Sequence, residues 1–236
     1  MTGWPGRLAD IAADIAAAAA TATAALLLAG CASGPPPPDW QLAARSALDQ
    51  ALAADLRGDA RTANLEFDRA RTDIARTGRP DLVARAELLR CAAQVASLQF
   101  GPCAGFEALR ADAATPEQAY ADHLLGRSDP SRASLLPPAQ QAVLALGPAP
   151  AYSMAARTLQ ALADPLSRLV GAALLLQAGQ AGPAVIGLAV DTASAQGWRR
   201  PLLAWLGLQR ARALQAGDTA AAAQLQRRMD LASGSR

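Results

Sequence analysis

Few residues in this chain could do chemistry, and they lie far apart. Across 236 residues there are three cysteines, Cys31, Cys91 and Cys103, and a single histidine, His123. Nucleophilic catalysis by a serine or cysteine would have to recruit His123 as its base. No Gly-x-Ser-x-Gly turn accompanies it, and the adjacent Asp122 falls on a different helix face. His123 therefore reads as a surface or helix-end residue. One histidine and two spaced cysteines do not make a four-ligand zinc set, and no acidic loop resembles a calcium site. No glycine-rich phosphate loop follows a strand. Paired carboxylates for glycan hydrolysis are the catalytic arrangement left open, because any two acids can converge in a fold. The expectation is a non-enzyme with no catalytic residue, no cofactor and no metal.

The residues ahead of Cys31 give that cysteine a different role. Arg7 and the amino terminus are positive, an apolar stretch runs over residues 15–29, and it ends in Leu28-Ala29-Gly30-Cys31. This order of charge, apolar run and small-residue cleavage site is that of an export signal. The last four residues resemble the lipobox of bacterial lipoproteins, as found in proteobacterial envelopes. Asp10 and Asp14 depart from the usual basic start. The resemblance implies cleavage after Gly30, a diacylglyceryl thioether on Cys31 and a third acyl chain (palmitate in kind) on the new amino terminus. Two or more chains anchor firmly where one binds marginally, since each buried methylene contributes about 0.8 kcal/mol. Ala32 stands where aspartate is associated with inner-membrane retention, so the resemblance implies the outer membrane, facing the periplasm. Pro35, Pro36, Pro37 and Pro38 favour an extended polyproline tether.

With Cys31 given to lipid, Cys91 and Cys103 remain. They are either a disulfide or two buried thiols, and an exported chain meets the oxidising conditions that favour the bridge. Every one of the 22 basic residues is arginine, spread among 20 acids for a net charge of +2. That balance, with no basic cluster, gives no reason to expect nucleic acid.

Beyond the tether only helical signals occur, with stops every ten to twenty residues. A first helix is expected over 40–57, with Leu48, Leu52 and Leu56 in a stripe. Gly58 closes it and Asp59 caps a second, in which Ala63, Phe67, Ala70 and Ile74 share a face. Arg79-Pro80-Asp81 opens a third. That helix carries apolar residues on two opposite faces, so it is covered on both sides, and Cys91 looks toward the segment holding Cys103. Thr115-Pro116-Glu117-Gln118 reads as a cap, a first-turn proline and a capping-box residue. Asp164, Pro183, Pro201 and Asp218 open further helices, and Gly179, Gly197 and Gly217 stop them. Residues 169–190 carry no charge and are long enough to span a bilayer, but the break around Gly179-Gln180-Ala181-Gly182 favours two core helices. Trp198, Trp205 and Tyr152 could line a groove, with core packing the simpler role for the tryptophans.

The spacing of Gly58, Ala63, Phe67 and Ala70 is similar to that of tetratricopeptide repeats, with echoes at Gly179, Ala184, Leu188 and at Gly217, Ala222, Gln226. Gln226 departs from the family's apolar wedge, and residues 101–150 fit no repeat. The expected fold class is all-α: an array of short antiparallel helical hairpins, tetratricopeptide-like or an irregular bundle. The expected organisation is a signal over 1–30, a lipidated tether over 31–39 and one helical domain over 40–236, with repeat-like units near 40–78, 165–196 and 201–232. The functional expectation is a lipid-anchored module that binds another protein in the cell envelope. Its alternative is an envelope enzyme, or an enzyme's activator, acting on peptidoglycan or another glycan.

Overall fold

Proline, aspartate and glycine punctuate the chain, and every helix boundary falls where one of them or a short loop allows it. The computed structural model describes residues 36–148 and 150–234. Cys31, the signal over 1–30 and the tether as far as residue 35 lie outside the described residues. Helix α1 (Asp39–Arg57) turns through Gly58, at φ 81°, into α2 (Ala60–Ala75), where Asp59 accepts a hydrogen bond from the Thr62 amide at 3.1 Å. A two-residue turn makes the pair an antiparallel hairpin. Its buried seam in α1 is Ala44, Ala47, Ala51 and Ala54, while Leu48 and Leu52 are half-buried beside it. Small residues win most of the seam because they let two helix axes approach; Leu48 and Leu52 sit at its edge, while Leu56, the last of the leucine stripe, is fully buried.

Helix α3 (Pro80–Ala96) is the partition of the molecule. Val83 and Ala86 join a small core with Ala51, Phe67 and Ile74. Leu88, Cys91, Val95 and Ala96 belong to the main core on the other side. The two apolar faces of α3 are thus both covered, as its pattern requires. A run of short pieces follows: α4 (Ala104–Glu107), a 3₁₀ turn at Arg110–Asp112, α5 (Thr115–Leu124), a 3₁₀ segment at Pro130–Leu135, α6 (Pro138–Leu144) and α7 (Tyr152–Ala161).

The uncharged run over 169–190 is divided between α8 (Pro165–Gln177) and α9 (Pro183–Ala195), two buried helices joined by a turn at Gly179. No described helix is long and apolar enough to cross a membrane. The last hairpin is α10 (Arg199–Gln215) and α11 (Thr219–Ser233), with Asp218 capping α11 through the Ala221 amide at 2.8 Å. Helix α10 packs on α1, where Arg200 pairs with Asp55 at 2.9 Å. Trp205, fully buried in α10, donates its indole N–H to the Ala96 carbonyl at 3.1 Å. In a linear stack each unit touches only its neighbours. Here the last hairpin returns to the first, so the all-helical array closes into a bundle among the described residues.

Candidate functional site

An open groove lies between α3, α5, the Pro130–Leu135 segment and α8, with a volume of about 500 Å³. That is within the usual range of ligand pockets. Its walls are apolar, chiefly Leu88, Leu135, Leu136, Leu166 and Val170. Leu88 and Leu136 are buried while Leu135 and Leu166 are half-exposed, so the floor belongs to the core and the rim does not.

Five polar side chains line it: Arg85, Glu117, Tyr120, Asp164 and Ser167. Arg85 on α3 donates through Nε to Glu117 Oε1 in the first turn of α5 at 2.5 Å. The Glu117 side chain is 11% exposed, and its Oε2 is buried without a hydrogen-bond partner. Asp164 caps α8, with Oδ2 accepting from the Ser167 amide at 2.7 Å. Burial, with the Asp164 carboxylate adding to it, pushes the Tyr120 phenol above its ordinary range, so Tyr120 stays a neutral hydroxyl at any physiological pH. Local rules place the two residues contributed by α5. Pro116 starts α5 so that Glu117 faces back to α3, and Tyr120 follows one helical turn later on the same face.

Residues 115–118 form a first turn of a different kind from the expected capping box. Ala114, not Thr115, is the capping position, and no side chain caps the helix. Gln118 instead donates through Nε2 to the carbonyls of Arg110 and Ala113, both at 3.0 Å. It ties α5 to the preceding 3₁₀ turn.

Behind the groove runs a directed chain of hydrogen bonds. His123 ends α5 but is buried, 2% exposed, which corrects its reading as a surface residue. Its Nδ1 lies 2.7 Å from Ser128 Oγ and its Nε2 lies 3.2 Å from Gln140 Oε1. Gln140 Nε2 donates to the Ser167 carbonyl at 3.0 Å, which leaves Oε1 as the acceptor. Nε2 of His123 therefore carries the proton, and Ser128 donates to Nδ1. Burial holds His123 below its ordinary value, so the imidazole is neutral. Tyr120 stacks against it with ring centres 6.4 Å apart. This chain gives the groove a rigid back wall, because every buried polar atom of His123 and Gln140 has a partner.

Comparison with family models, curated proteins and solved structures yields no match.

The other residues singled out by sequence fall elsewhere. Cys91 on α3 and Cys103, just ahead of α4, lie at disulfide distance, with Cα atoms 5.6 Å apart. Helix α3 ends at Ala96, and Leu98 at φ 60° followed by Gly101 at φ 156° turns the chain back. Trp198 caps α10 and Trp205 is core, while Tyr152 is exposed, so the three do not build one groove. Among the described residues no group of three or more His, Cys, Asp or Glu is placed to hold a metal ion.

A second cleft lies across α3. Leu48, Leu52, Phe67 and Leu89 surround Asp55, Asn64 and Arg90 in a space of about 20 Å³. That is the size of a single water site and excludes an organic ligand. Arg90 spans it, over the Phe67 ring at 4.8 Å and donating to Asn64 Oδ1 at 2.9 Å. A third, polar groove near Phe100 has its charges matched internally: Arg110 binds Glu107 at 2.8 Å and Asp122 at 3.0 Å.

Proposed function

We propose that this chain is a lipoprotein acylated on Cys31, held at the outer membrane facing the periplasm, whose helical body docks a protein partner without turning over a substrate. The lipobox Leu28-Ala29-Gly30-Cys31 supports the anchor. The observation that carries the binding role is the groove beside α3, with apolar walls and the Arg85–Glu117 ion pair among its few polar groups. Glycan hydrolysis needs two free carboxyl groups flanking the scissile bond. In this groove Glu117 is engaged by Arg85 and Asp164 caps a helix, which favours a docking surface. A Cys91–Cys103 disulfide suits an oxidising compartment.

The test of the anchor is Cys31→Ser in the native host. Loss of palmitate labelling and release from the membrane fraction are expected; unchanged labelling and retention would overturn it. The binding role is tested by in-cell crosslinking and solubilisation of the wild type. A reproducible partner is expected, and hydrolysis of purified peptidoglycan by the isolated protein would replace this reading with the enzymatic one.

A further inference from the structure

Resting on that docking role, we propose that the groove beside α3 receives a segment of the partner in which apolar side chains are flanked by an arginine or lysine. The apolar part follows from the walls: Leu135 and Leu166 are half-exposed at the rim above a buried floor at Leu88 and Leu136. Covering such surface is favourable in proportion to its area.

The basic part follows from Glu117. Its Oε1 takes the Arg85 hydrogen bond, and its Oε2 is buried in the same groove with no donor. A carboxylate oxygen in that state carries the cost of desolvation without the return of a hydrogen bond. Arg85 is the only cation among the groove's lining residues, against two carboxylates, Glu117 and Asp164. The site is thus one negative charge in excess. An arriving guanidinium or ammonium cancels that excess, approaching by the exposed Asp164 carboxylate beside the Arg85–Glu117 pair. An acidic segment would instead meet two like charges. Tyr120, held as a neutral phenol, offers a further donor or acceptor to the segment's backbone.

The experiment uses the full lipidated chain in phosphatidylcholine nanodiscs, with empty nanodiscs as blank. Short fluorescent peptides with a common leucine core carry arginine, glutamine or glutamate flanks. Saturable binding of the arginine-flanked peptide is expected, roughly tenfold tighter than the glutamate-flanked one. Glu117→Gln should erase that preference, and Val170→Trp, which fills the groove, should abolish binding. Leu65→Gln, on the exposed face of α2, should change nothing. Absence of saturable binding, equal affinity for all three peptides, or an unchanged preference in the conservative Glu117→Gln variant would each overturn the proposal. Should Val170→Trp fail to fold, Glu117→Gln still decides. Photo-crosslinkers at Leu135 and Leu65 separate this proposal from the broader role. A partner captured only from Leu65 overturns the groove and leaves the docking module standing.

Discussion

Leu89 stands between two clefts built from the same parts. On each side an arginine of α3 faces a carboxylate of a neighbouring helix: Arg90 with Asp55 on one, Arg85 with Glu117 on the other. In each the carboxylate keeps one buried oxygen without a partner. Yet one cleft measures about 20 Å³ and the other about 500 Å³. The polar chemistry does not set the difference. Ala51, Ala63 and Ala93 let α1, α2 and α3 close over Asp55, and Arg200 from α10 seals it at 2.9 Å. Leucines line both clefts, but across α3 Pro116 and Pro137 interrupt the elements that would otherwise cover them. Side-chain size and helix interruption decide which polar pair is masonry and which is a mouth.

The comparison is broken most bluntly by removing what braces the helix between the clefts. Trp205 is fully buried and its indole bonds the end of α3. Trp205→Ala should cost about 3–5 kcal/mol in denaturant unfolding, including the orphaned Ala96 carbonyl. A loss under about 1 kcal/mol would mean that α10 does not brace α3. Next in size is the Cys91–Cys103 pair, which fixes α3 to α4 only on the main-core side. Replacing both cysteines by alanine should cost about 2–4 kcal/mol if they are bridged, with a free-thiol assay of the wild type reading zero. Amide exchange should then quicken around residues 97–112 and not in the α1–α2 hairpin.

Size itself can be exchanged between the clefts. Ala63→Leu intrudes where α1, α2 and α3 are in contact, and an overpacked core loses about 1–3 kcal/mol. Leu166→Met, at the open groove, keeps its volume and has room to move, so a change below about 1 kcal/mol is expected. Equal losses in chemical denaturation would show that the two clefts do not differ in packing.

The local grammar of this contrast was legible in the sequence. Asp59, Asp164 and Asp218 cap helices as aspartates followed by a helical run should. Gly58, Gly179, Gly197 and Gly217 all take positive φ at helix ends. The double apolar face of α3 declared that it would be covered twice, and it pointed Cys91 toward Cys103. The groove was not legible, because Arg85 and Glu117 are 32 residues apart and neither pattern nor cap pairs them. The same holds for the contact of α10 with α1. His123 reads as a surface or helix-end residue; the structure keeps it at the helix end but buries it, because Ser128 and Gln140 supply the partners a buried imidazole needs. Tyr120, one turn before it, was the available signal: an aromatic and a histidine on one face mark a covered surface.

The smallest expected effect separates the clefts by titration. His123, behind the groove, is held below its ordinary value of 6.5 by burial, the Gln140 hydrogen bond only partly offsetting it. The unfolded chain therefore takes up this proton first, and its contribution is complete above pH 6.5 and lost as pH falls through the lower folded value. Asp55 behaves oppositely. Burial raises it above 3.8, against the pull of Arg200 and then Arg90. Its contribution is complete below pH 3.8 and lost as pH rises through the folded value. Unfolding midpoints measured against pH should thus fall on acidification from neutrality, and His123→Gln should flatten that limb. Asp55→Asn should leave it in place and stay within about 1 kcal/mol of wild type at pH 7, since an amide removes the desolvation cost along with the ion pair. A neutral-to-acid limb that survives His123→Gln would place the responsible proton outside the back wall of the groove.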